Sequence, residues 1–259
     1  MAFQRQIPGT ELMVSALGLG TVKFGRDQSV KYPRQFTIPD DDEVINLLAL
    51  ANSEGINLLD TAPAYGTSEE RLGKLLNNRK DWVIVTKTGE EFEHGQSSFN
   101  FSRSHTRASI ERSLKRLNTD YLDIVLIHSD GNDENILNNT DCVATLRQCQ
   151  QQGMIRAIGM STKTISGGLL AASMLDIVMI TYNLEQQDQA VLDYARKNNK
   201  GVLVKKGLMS GHAGSIEDSM SLLFGSDGIS SVIVGTINPA HLKENLKLAK
   251  AALEKMSGN

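Results

Sequence analysis

Charged or titratable side chains close three consecutive apolar segments of the chain. Asp60 ends INLLD, Lys87 ends VIVTK and His128 ends DIVLIH, and Tyr65 follows in the loop DTAPAYG. If these segments are parallel strands, their carboxyl ends meet on one face of the protein. Each residue alone has a plainer role, as a turn residue, a snorkelling lysine, a packed histidine or a packed aromatic. Their joint placement favours a catalytic group.

Such a group can protonate an oxygen on which negative charge develops. A tyrosine hydroxyl has a reference pKa of about 10, so proton transfer near neutrality calls for a pKa lower by roughly 2 to 3. A lysine ammonium about 4 Å away stabilises the phenolate by roughly 4 kcal/mol at an effective dielectric constant near 20. We therefore expect Lys87 to lower the pKa of Tyr65. Asp60 would keep Lys87 charged, and His128 would orient the substrate oxygen.

The elements that position these side chains are short apolar runs alternating with segments of helical period. The runs are rich in β-branched residues or leucine, and they end at Gly20, Leu59, Thr86, Ile127, Gly159, Ile180, Val204 and Val234. The helical segments are 40–54, 68–78, 103–117, 135–152, 164–173, 187–198, 217–224 and 239–255. The pattern indicates eight successive βα units.

Runs that are apolar along their whole length are typical of a parallel sheet covered on both faces, and eight of them favour closure into a barrel. The rival fold, a doubly wound open sheet, lacks its glycine fingerprint, because Gly18 and Gly20 are followed by Lys23 where a third glycine belongs. We predict an α/β protein with a (β/α)8 TIM barrel. It forms a single domain over residues 1–259, with a short N-terminal hairpin at residues 2–14.

Longer motifs around these residues carry a family likeness. They are GINLLDTAPAYGTSEERLGKLL (55–76), WVIVTKTG (82–89) and RASIERSLKRLNTDYLDIVLIHS (107–129), with looser support from SALGLGTVKFGR (15–26) and VIVGTINPAHLKENL (232–246). With them the sequence resembles the aldo-keto reductases. The resemblance implies a (β/α)8 barrel that reduces aldehydes or ketones with a nicotinamide cofactor. Tyr65 would be the general acid, tuned by Lys87 and Asp60, and His128 would orient the carbonyl.

No side chain is a reversible hydride donor, so carbonyl reduction requires a bound cofactor. The resemblance implies NADPH, or NADH, lying across the barrel mouth. The nicotinamide end would lie near Gly20, Thr21, Val22, Asp60 and Ser161, and the phosphates and adenosine near Lys205, Lys206, Gly235, Thr236, Asn238, His241 and Asn245. Pro239 suits the first turn of the last helix, whose free N–H groups favour phosphate.

Some positions depart from the family pattern. Thr162 replaces an asparagine, Met179 a glutamine, and Lys205 an aromatic residue that often stacks on the nicotinamide. His241 replaces an arginine that many relatives use for the 2′-phosphate, which leaves the choice between NADPH and NADH open.

The substrate is less well specified than the cofactor. Phe24 and Phe92 are candidates for lining an apolar substrate pocket, although loop aromatics also pack locally. The chain ends fourteen residues after Asn245, so the long closing loop of larger relatives looks short, and we expect a relatively open site. No metal site is predicted, and DGNDEN (130–135) is expected to be a solvated loop.

The composition of the chain excludes some classes of binding partner. The 27 basic and 30 acidic residues show no run of one sign, which argues against nucleic acid and acidic membranes and favours a small carbonyl compound as the partner. No stretch of 18 apolar residues occurs, so we expect a cytoplasmic protein. Cys142 and Cys149 are expected to be reduced thiols on one helix. A monomer or weak oligomer is expected.

Two other functions remain open on the sequence alone. One is a Schiff-base lyase in which Lys87 attacks a carbonyl, although an adjacent Asp60 argues against it. The other is a barrel that binds a nucleotide as a redox sensor or scaffold, with vestigial turnover.

Overall fold

Parallel strands close into a barrel in the computed structural model, which describes residues 2–257. In chain order the strands are β1 (Gln4–Gln6), β2 (Met13–Ser15), β3 (Leu17–Gly20), β4 (Leu58–Asp60), β5 (Val83–Thr88), β6 (Glu90–Glu93), β7 (Gln96–Phe99), β8 (Leu122–His128), β9 (Ile155–Ser161), β10 (Ile177–Thr181), β11 (Gly201–Lys205) and β12 (Ser231–Val234). The barrel order is β3-β4-β5-β8-β9-β10-β11-β12, with β12 pairing back to β3. The predicted barrel of eight strands is confirmed.

Helices follow the barrel strands and cover them from outside. They are α1 (Asp41–Ser53), α2 (Ser68–Leu75), α3 (Arg103–Arg116), α4 (Asp133–Asn139), α5 (Cys142–Gln151), α6 (Ile165–Met174), α7 (Gln189–Lys197), α8 (Ile216–Gly225) and α9 (Pro239–Ser257). Some of the helix starts are capped by side chains; at α1, the Asp40 and Glu43 carboxylates accept from each other's backbone N–H groups. Ser102, Thr164 and Ser215 cap three later helices.

The hydrophobic core has two parts. One lies between the strands and the surrounding helices, and the other fills the inside of the barrel. The predicted N-terminal hairpin is present as β1 and β2, and it adds Ile7, Leu12 and Val14 to the inner part. The hairpin therefore closes the end of the barrel opposite the carboxyl ends of the strands.

Two local predictions need correction. The segment 135–152 is broken into α4 and α5, because the Thr140 hydroxyl donates to Ile136 O and accepts from Cys142 N in place of helical backbone bonds. The segment 130–135 is only partly solvated, because Asp133 is buried. Its carboxylate accepts from the Ser129 hydroxyl and from the backbone N–H groups of Lys163 and Thr164.

The sequence reading also missed a hairpin. Strands β6 and β7 pair across His94 and Gly95, which both have positive φ, as a two-residue hairpin turn requires. The two strands consist mainly of charged and small polar residues, so they lack the apolar pattern of a strand. The His-Gly pair between them could have indicated a hairpin turn. The hairpin stands beside the mouth of the barrel, directly after β5.

Candidate active site

Tyr65, Lys87 and Asp60 form a chain of hydrogen bonds at the carboxyl ends of β4 and β5. The Lys87 ammonium donates to Asp60 Oδ1 at 2.6 Å and to the Tyr65 hydroxyl at 3.2 Å. The Tyr65 hydroxyl donates to Asp60 Oδ2 at 3.4 Å. Lys87 is almost fully buried and also donates to Thr61 O at 2.8 Å. The three residues that the sequence reading grouped thus lie in contact.

The loop that carries Tyr65 is held by a close contact between two glycines. Gly66 has φ near +62°, and a Cβ at this position would lie 2.0 Å from Gly25 O. A Cβ on Gly25 would in turn lie 2.4 Å from Tyr65 O. Neither position has room for a side chain, so these glycines fix the Tyr65 loop against the loop that follows β3.

The expectation that the pKa of Tyr65 is lowered is wrong for this arrangement. Removal of Tyr65 from water is the main cause that raises its pKa well above the usual value, and the nearby Asp60 and Glu90 carboxylates raise it further. Arg26 opposes them only in part. Tyr65 therefore keeps its proton throughout the neutral range, as a proton donor must.

His128 joins the group at the end of β8. Its ring meets the Tyr65 ring edge-on, with centroids 6.4 Å apart. Its Nδ1 lies 2.8 Å from Glu90 Oε2, and removal from water lowers the pKa of His128 although Glu90 opposes the change. Contact with His128, despite partial desolvation, leaves the pKa of Glu90 at about 2. Glu90 stands on the missed hairpin, so the sequence reading did not include it.

A cavity of about 1060 Å³ opens above these residues. The predicted cofactor residues that line it are Gly20, Val22, Asp60, Ser161, Lys205, Lys206, Gly235, Thr236, His241 and Asn245. Thr21 and Asn238 do not line it. The Thr21 hydroxyl is buried against Asp60 O and Ser68 Oγ, and Asn238 caps the start of α9 by accepting from Ala240 N.

Lys205 enters the cavity from the end of β11. Its ammonium donates to the Ser161 hydroxyl at 2.9 Å and to Thr162 O at 2.6 Å. Desolvation and the neighbouring Lys206 lower the pKa of Lys205 to about 7. Met179 and Thr162, the other departures from the family pattern on this side, line the same cavity.

The loop after β3 forms part of the cavity wall, and the expectation of a relatively open site stays a prediction. We call residues 29–36 the strap. Tyr32 of the strap reaches the end of β12, where its hydroxyl lies 2.9 Å from the point that a Cβ on Gly235 would occupy. Pro33 approaches Gly211 in the same way at 3.3 Å, and the Ser29 hydroxyl donates to Gly95 O on the second hairpin. Residues 31–36 line the cavity.

Neither phenylalanine that was predicted to line a substrate pocket does so. Phe24 has no exposed surface and belongs to the hydrophobic core, so it has no route to a substrate. Phe92 lies on β6 beneath the Arg26 guanidinium, 3.4 Å from the ring centroid, and is outside the cavity lining. The aromatic side chains that do line the cavity near Tyr65 are Tyr32 and Phe36 of the strap.

The lining fits a dinucleotide cofactor. Among the described residues, the cavity is bordered by the cationic side chains of Lys23, Lys31, Arg34, Lys87, Lys163, Lys205 and Lys206. The carboxylates in the same lining are Asp60, which is paired with Lys87, and Glu244. An excess of lysine and arginine in an elongated cavity suits the phosphate groups of such a molecule.

Other features carry no further chemistry. Cys142 and Cys149 are free thiols buried along α5. In residues 2–257, no cluster of three or more histidine, cysteine or acidic side chains is arranged to hold a metal ion. None of the described helices combines the length and apolar character needed to cross a membrane.

Comparisons with known proteins agree on one family. The model of the Aldo/keto reductase family matches residues 16–221. Aldo-keto reductase YhdN of Bacillus subtilis is 31% identical over 214 residues, which are 79% of this chain and 62% of YhdN. The matched part thus spans less than two thirds of that relative.

Two further similar proteins are matched over a larger share of their own length. The NADH-specific methylglyoxal reductase of Escherichia coli is 30% identical over 224 residues, which are 78% of this chain and 67% of that enzyme. A crystal structure from Pseudomonas aeruginosa, provisionally described as an aldo-keto reductase, is 52% identical. It superposes with a TM-score of 0.90 over 96% of this chain and 95% of that chain.

Proposed function

Because the chain belongs to the aldo/keto reductase family, we propose that it reduces a small aldehyde or ketone to an alcohol with NADPH, Tyr65 being the proton donor. The observation that carries this proposal is the hydrogen-bonded chain from Lys87 through Tyr65 to Asp60 at the base of a cation-lined cavity. When bound there, the cofactor supplies a hydride to the carbonyl carbon. The protein supplies the proton and the position of the substrate.

Tyr65 gives its proton to the substrate oxygen as negative charge develops on it. In the resting site the raised pKa of Tyr65 keeps the proton on the phenol. When the proton leaves, the phenolate forms 3.2 Å from the Lys87 ammonium, which stabilises it. Lys87 thus acts mainly on the transition state and not on the resting tyrosine, which is the kind of interaction that raises kcat.

Asp60 and His128 position the other participants. Asp60 holds the Lys87 ammonium at 2.6 Å, so the cation stays beside the phenol. Glu90 contacts Nδ1 of His128, which leaves Nε2 as the ring nitrogen for the substrate oxygen. A carbonyl held between Tyr65 and His128 has its oxygen next to the proton donor.

The cofactor would be held mainly through the cationic lining. Removal from water lowers the pKa of Lys206, and repulsion from Lys31 and Lys163 lowers it further; an anionic phosphate would relieve that repulsion. Ser161 and Asn245 add polar groups to the lining. We propose NADPH as the cofactor on the strength of the family resemblance. Activity with NADH must be measured beside it, because one relative is named an NADH-specific methylglyoxal reductase.

The test is the loss of reduced-nicotinamide absorbance with 4-nitrobenzaldehyde, measured separately with NADPH and with NADH. We expect turnover with wild-type protein, faster with NADPH. Tyr65→Phe should lower kcat by about 10²- to 10⁴-fold, the usual contribution of a general acid, while the cofactor Kd stays the same. Fluorescence titration of the reduced cofactor gives that Kd.

The same assay separates the alternatives. Cofactor binding without turnover, across a panel of small carbonyls, would favour a sensor or scaffold. Equal activity in wild type and Tyr65→Phe would refute the role of Tyr65. Lys87 is poorly suited to Schiff-base chemistry, because its N–H groups are engaged by Asp60, Thr61 O and Tyr65.

A further inference from the structure

We propose that Lys205 is a second carbonyl-reactive group of the cavity, whose amine condenses reversibly with small aldehydes. The sequence suggested a Schiff-base lysine at the end of the third barrel strand, at Lys87. The geometry points instead to the lysine at the end of β11.

The surroundings of Lys205 differ from those of Lys87 in the groups that contact the nitrogen. Lys87 is ion-paired with Asp60 at 2.6 Å. Lys205 donates to a hydroxyl and to a backbone carbonyl, both uncharged. Within residues 2–257 no carboxylate forms an ion pair with Lys205. Its side chain is only partly exposed, and the exposed part faces the cavity.

Charges of both signs face Lys205 from neighbouring elements. Lys206 follows it in the chain, and Lys87 on β5 adds a second repulsion. The carboxylates of Asp133 on α4 and Asp188 before α7 oppose this repulsion. The positive charge of Lys205 also lowers the pKa of His128 on β8. Removal from water is the largest effect on Lys205, and together with the repulsion from the two lysines it favours the neutral amine.

The neutral amine is the reactive form. With a pKa of about 7, roughly half of Lys205 is neutral at pH 7, against about one part in 3000 for a lysine of ordinary pKa near 10.5. A neutral amine has two hydrogens, and both can be donated to Ser161 Oγ and Thr162 O. Its lone pair is then left for a carbonyl carbon.

The reaction is a condensation without a change in oxidation state. The amine nitrogen bonds to the aldehyde carbon while the carbonyl π electrons move to oxygen, and transfer of a proton from nitrogen to that oxygen gives a carbinolamine. Loss of the hydroxyl oxygen with two protons, as water, leaves an imine. Amine and aldehyde are thus converted to imine and water, with no other reactant, and added water reverses the step.

The imine and the dinucleotide would occupy the same cavity. This consequence, unlike the condensation itself, rests on the proposed function. Aldehyde bound at Lys205 would exclude the cofactor, and bound cofactor would shield the lysine. An aldehyde in excess would therefore inhibit its own reduction until the imine hydrolyses.

The experiment traps the imine in the full-length protein. Glycolaldehyde and sodium cyanoborohydride convert an imine to a stable secondary amine, and peptide mass spectrometry locates it. At pH 7 we expect Lys205 to be labelled at least about tenfold faster than the exposed Lys197, with Lys87 unlabelled. The labelling rate of Lys205 should level off above about pH 7 while that of Lys197 keeps rising.

Control variants locate the reactive nitrogen. Lys205→Arg keeps a cation and should remove the fast labelling, whereas Lys115→Arg, at an exposed lysine of α3 outside the cavity lining, should retain it. Wild-type mapping needs no variant, so misfolding of either does not affect the test. Labelling of Lys205 no faster than Lys197, a rate that rises through pH 9 in parallel with it, or preferential labelling of Lys87 would overturn the proposal.

Adding NADPH tests the shared cavity separately. Protection of Lys205 by NADPH, with unchanged labelling of Lys197, is the expected result. If Lys205 is labelled fast and NADPH does not slow the labelling, the proposal of a carbonyl-reactive Lys205 is supported, and the proposed position of the cofactor is contradicted. Slow labelling of Lys205 in the absence of cofactor would refute the Lys205 proposal without affecting the reductase proposal.

Discussion

Groups close to Tyr65 have opposite effects on whether its hydroxyl keeps its proton. Removal from water and the Asp60 and Glu90 carboxylates hold the proton on the phenol, and the Lys87 ammonium stabilises the phenolate once the proton has left. Simple pair electrostatics between Tyr65 and Lys87 suggested an acidic phenol. The complete surroundings instead give a phenol that stays protonated until a substrate oxygen can take the proton.

The pH profile of the proposed reaction follows from the raised pKa of Tyr65. A group that acts while protonated loses activity as pH rises through its pKa, and this pKa lies well above the usual value near 10. We expect no loss of kcat from tyrosine ionisation between about pH 6 and pH 9. The measurement is kcat at saturating NADPH across that range. A fall in kcat with a midpoint near neutrality that persists in Lys205→Arg would contradict the assignment to Tyr65.

Glu90 positions His128, and its replacement tests that role. In Glu90→Gln the side chain keeps its size but loses the charge next to His128 Nδ1. We expect the pKa of His128 to fall further, because a carboxylate that raises it is removed. We also expect kcat/KM for the carbonyl to fall by about tenfold to a hundredfold through loss of orientation. NMR titration of His128 and steady-state kinetics measure the two effects.

The matched control for this variant is on the same strand. Glu93→Gln removes an exposed carboxylate from β6 and should leave both measurements unchanged. A normal kcat/KM in Glu90→Gln, together with an unchanged His128 titration, would mean that Glu90 does not position the histidine.

At the scale of elements, loops after different strands assemble the cavity. The strap contacts the second hairpin through Ser29, the loop after β11 through Pro33, and the end of β12 through Tyr32. The Lys23 ammonium lies 3.8 Å from the Tyr32 ring centroid, which adds a cation–π contact. A loop held at three separate places can cover a bound ligand.

Replacement of Tyr32 tests the covering role of the strap. Tyr32→Ala removes the ring that reaches Gly235, so we expect a cofactor Kd higher by about three- to tenfold, which corresponds to about 1 kcal/mol, with most of the change in the dissociation rate. Stopped-flow fluorescence measures that rate. Tyr32→Phe keeps the ring and should behave as wild type, and an unchanged dissociation rate in Tyr32→Ala would show that the strap does not retain the cofactor.

At the scale of the whole molecule, stability and chemistry lie at opposite ends of the barrel. The reactive side chains are at the carboxyl ends of the strands, and the N-terminal hairpin closes the other end. Ile7 is fully buried and packs so closely on β11 that a Cβ on Gly201 would lie 2.3 Å from it.

Ile7→Ala should therefore destabilise the protein with little effect on its site. Truncating a buried isoleucine costs about 2–5 kcal/mol in free energy of unfolding, through lost burial and the cavity left behind. Chemical denaturation measures that loss, and kcat at moderate temperature should stay near wild type. Met13→Ala, on the exposed side of the same hairpin, should change stability by no more than about 0.5 kcal/mol. A loss below about 1 kcal/mol in Ile7→Ala would show that the hairpin is not part of the core.

The sequence by itself determined the barrel and the proximity of Asp60, Lys87 and Tyr65. Uninterrupted apolar runs encode strands covered on both faces, and residues at the ends of neighbouring parallel strands meet once the barrel closes. These features depend on local pattern and on topology, which the order of residues along the chain fixes.

Only the tertiary structure decided the protonation of Tyr65, the partner of His128, the coverage by the strap and the burial of Phe24. Each depends on which distant segments fold over a given side chain, and therefore on how much water and which charges remain around it. The contrast between Lys87 and Lys205 has the same origin. Both end barrel strands with similar sequence patterns, but closure places a carboxylate beside Lys87 and uncharged oxygens beside Lys205.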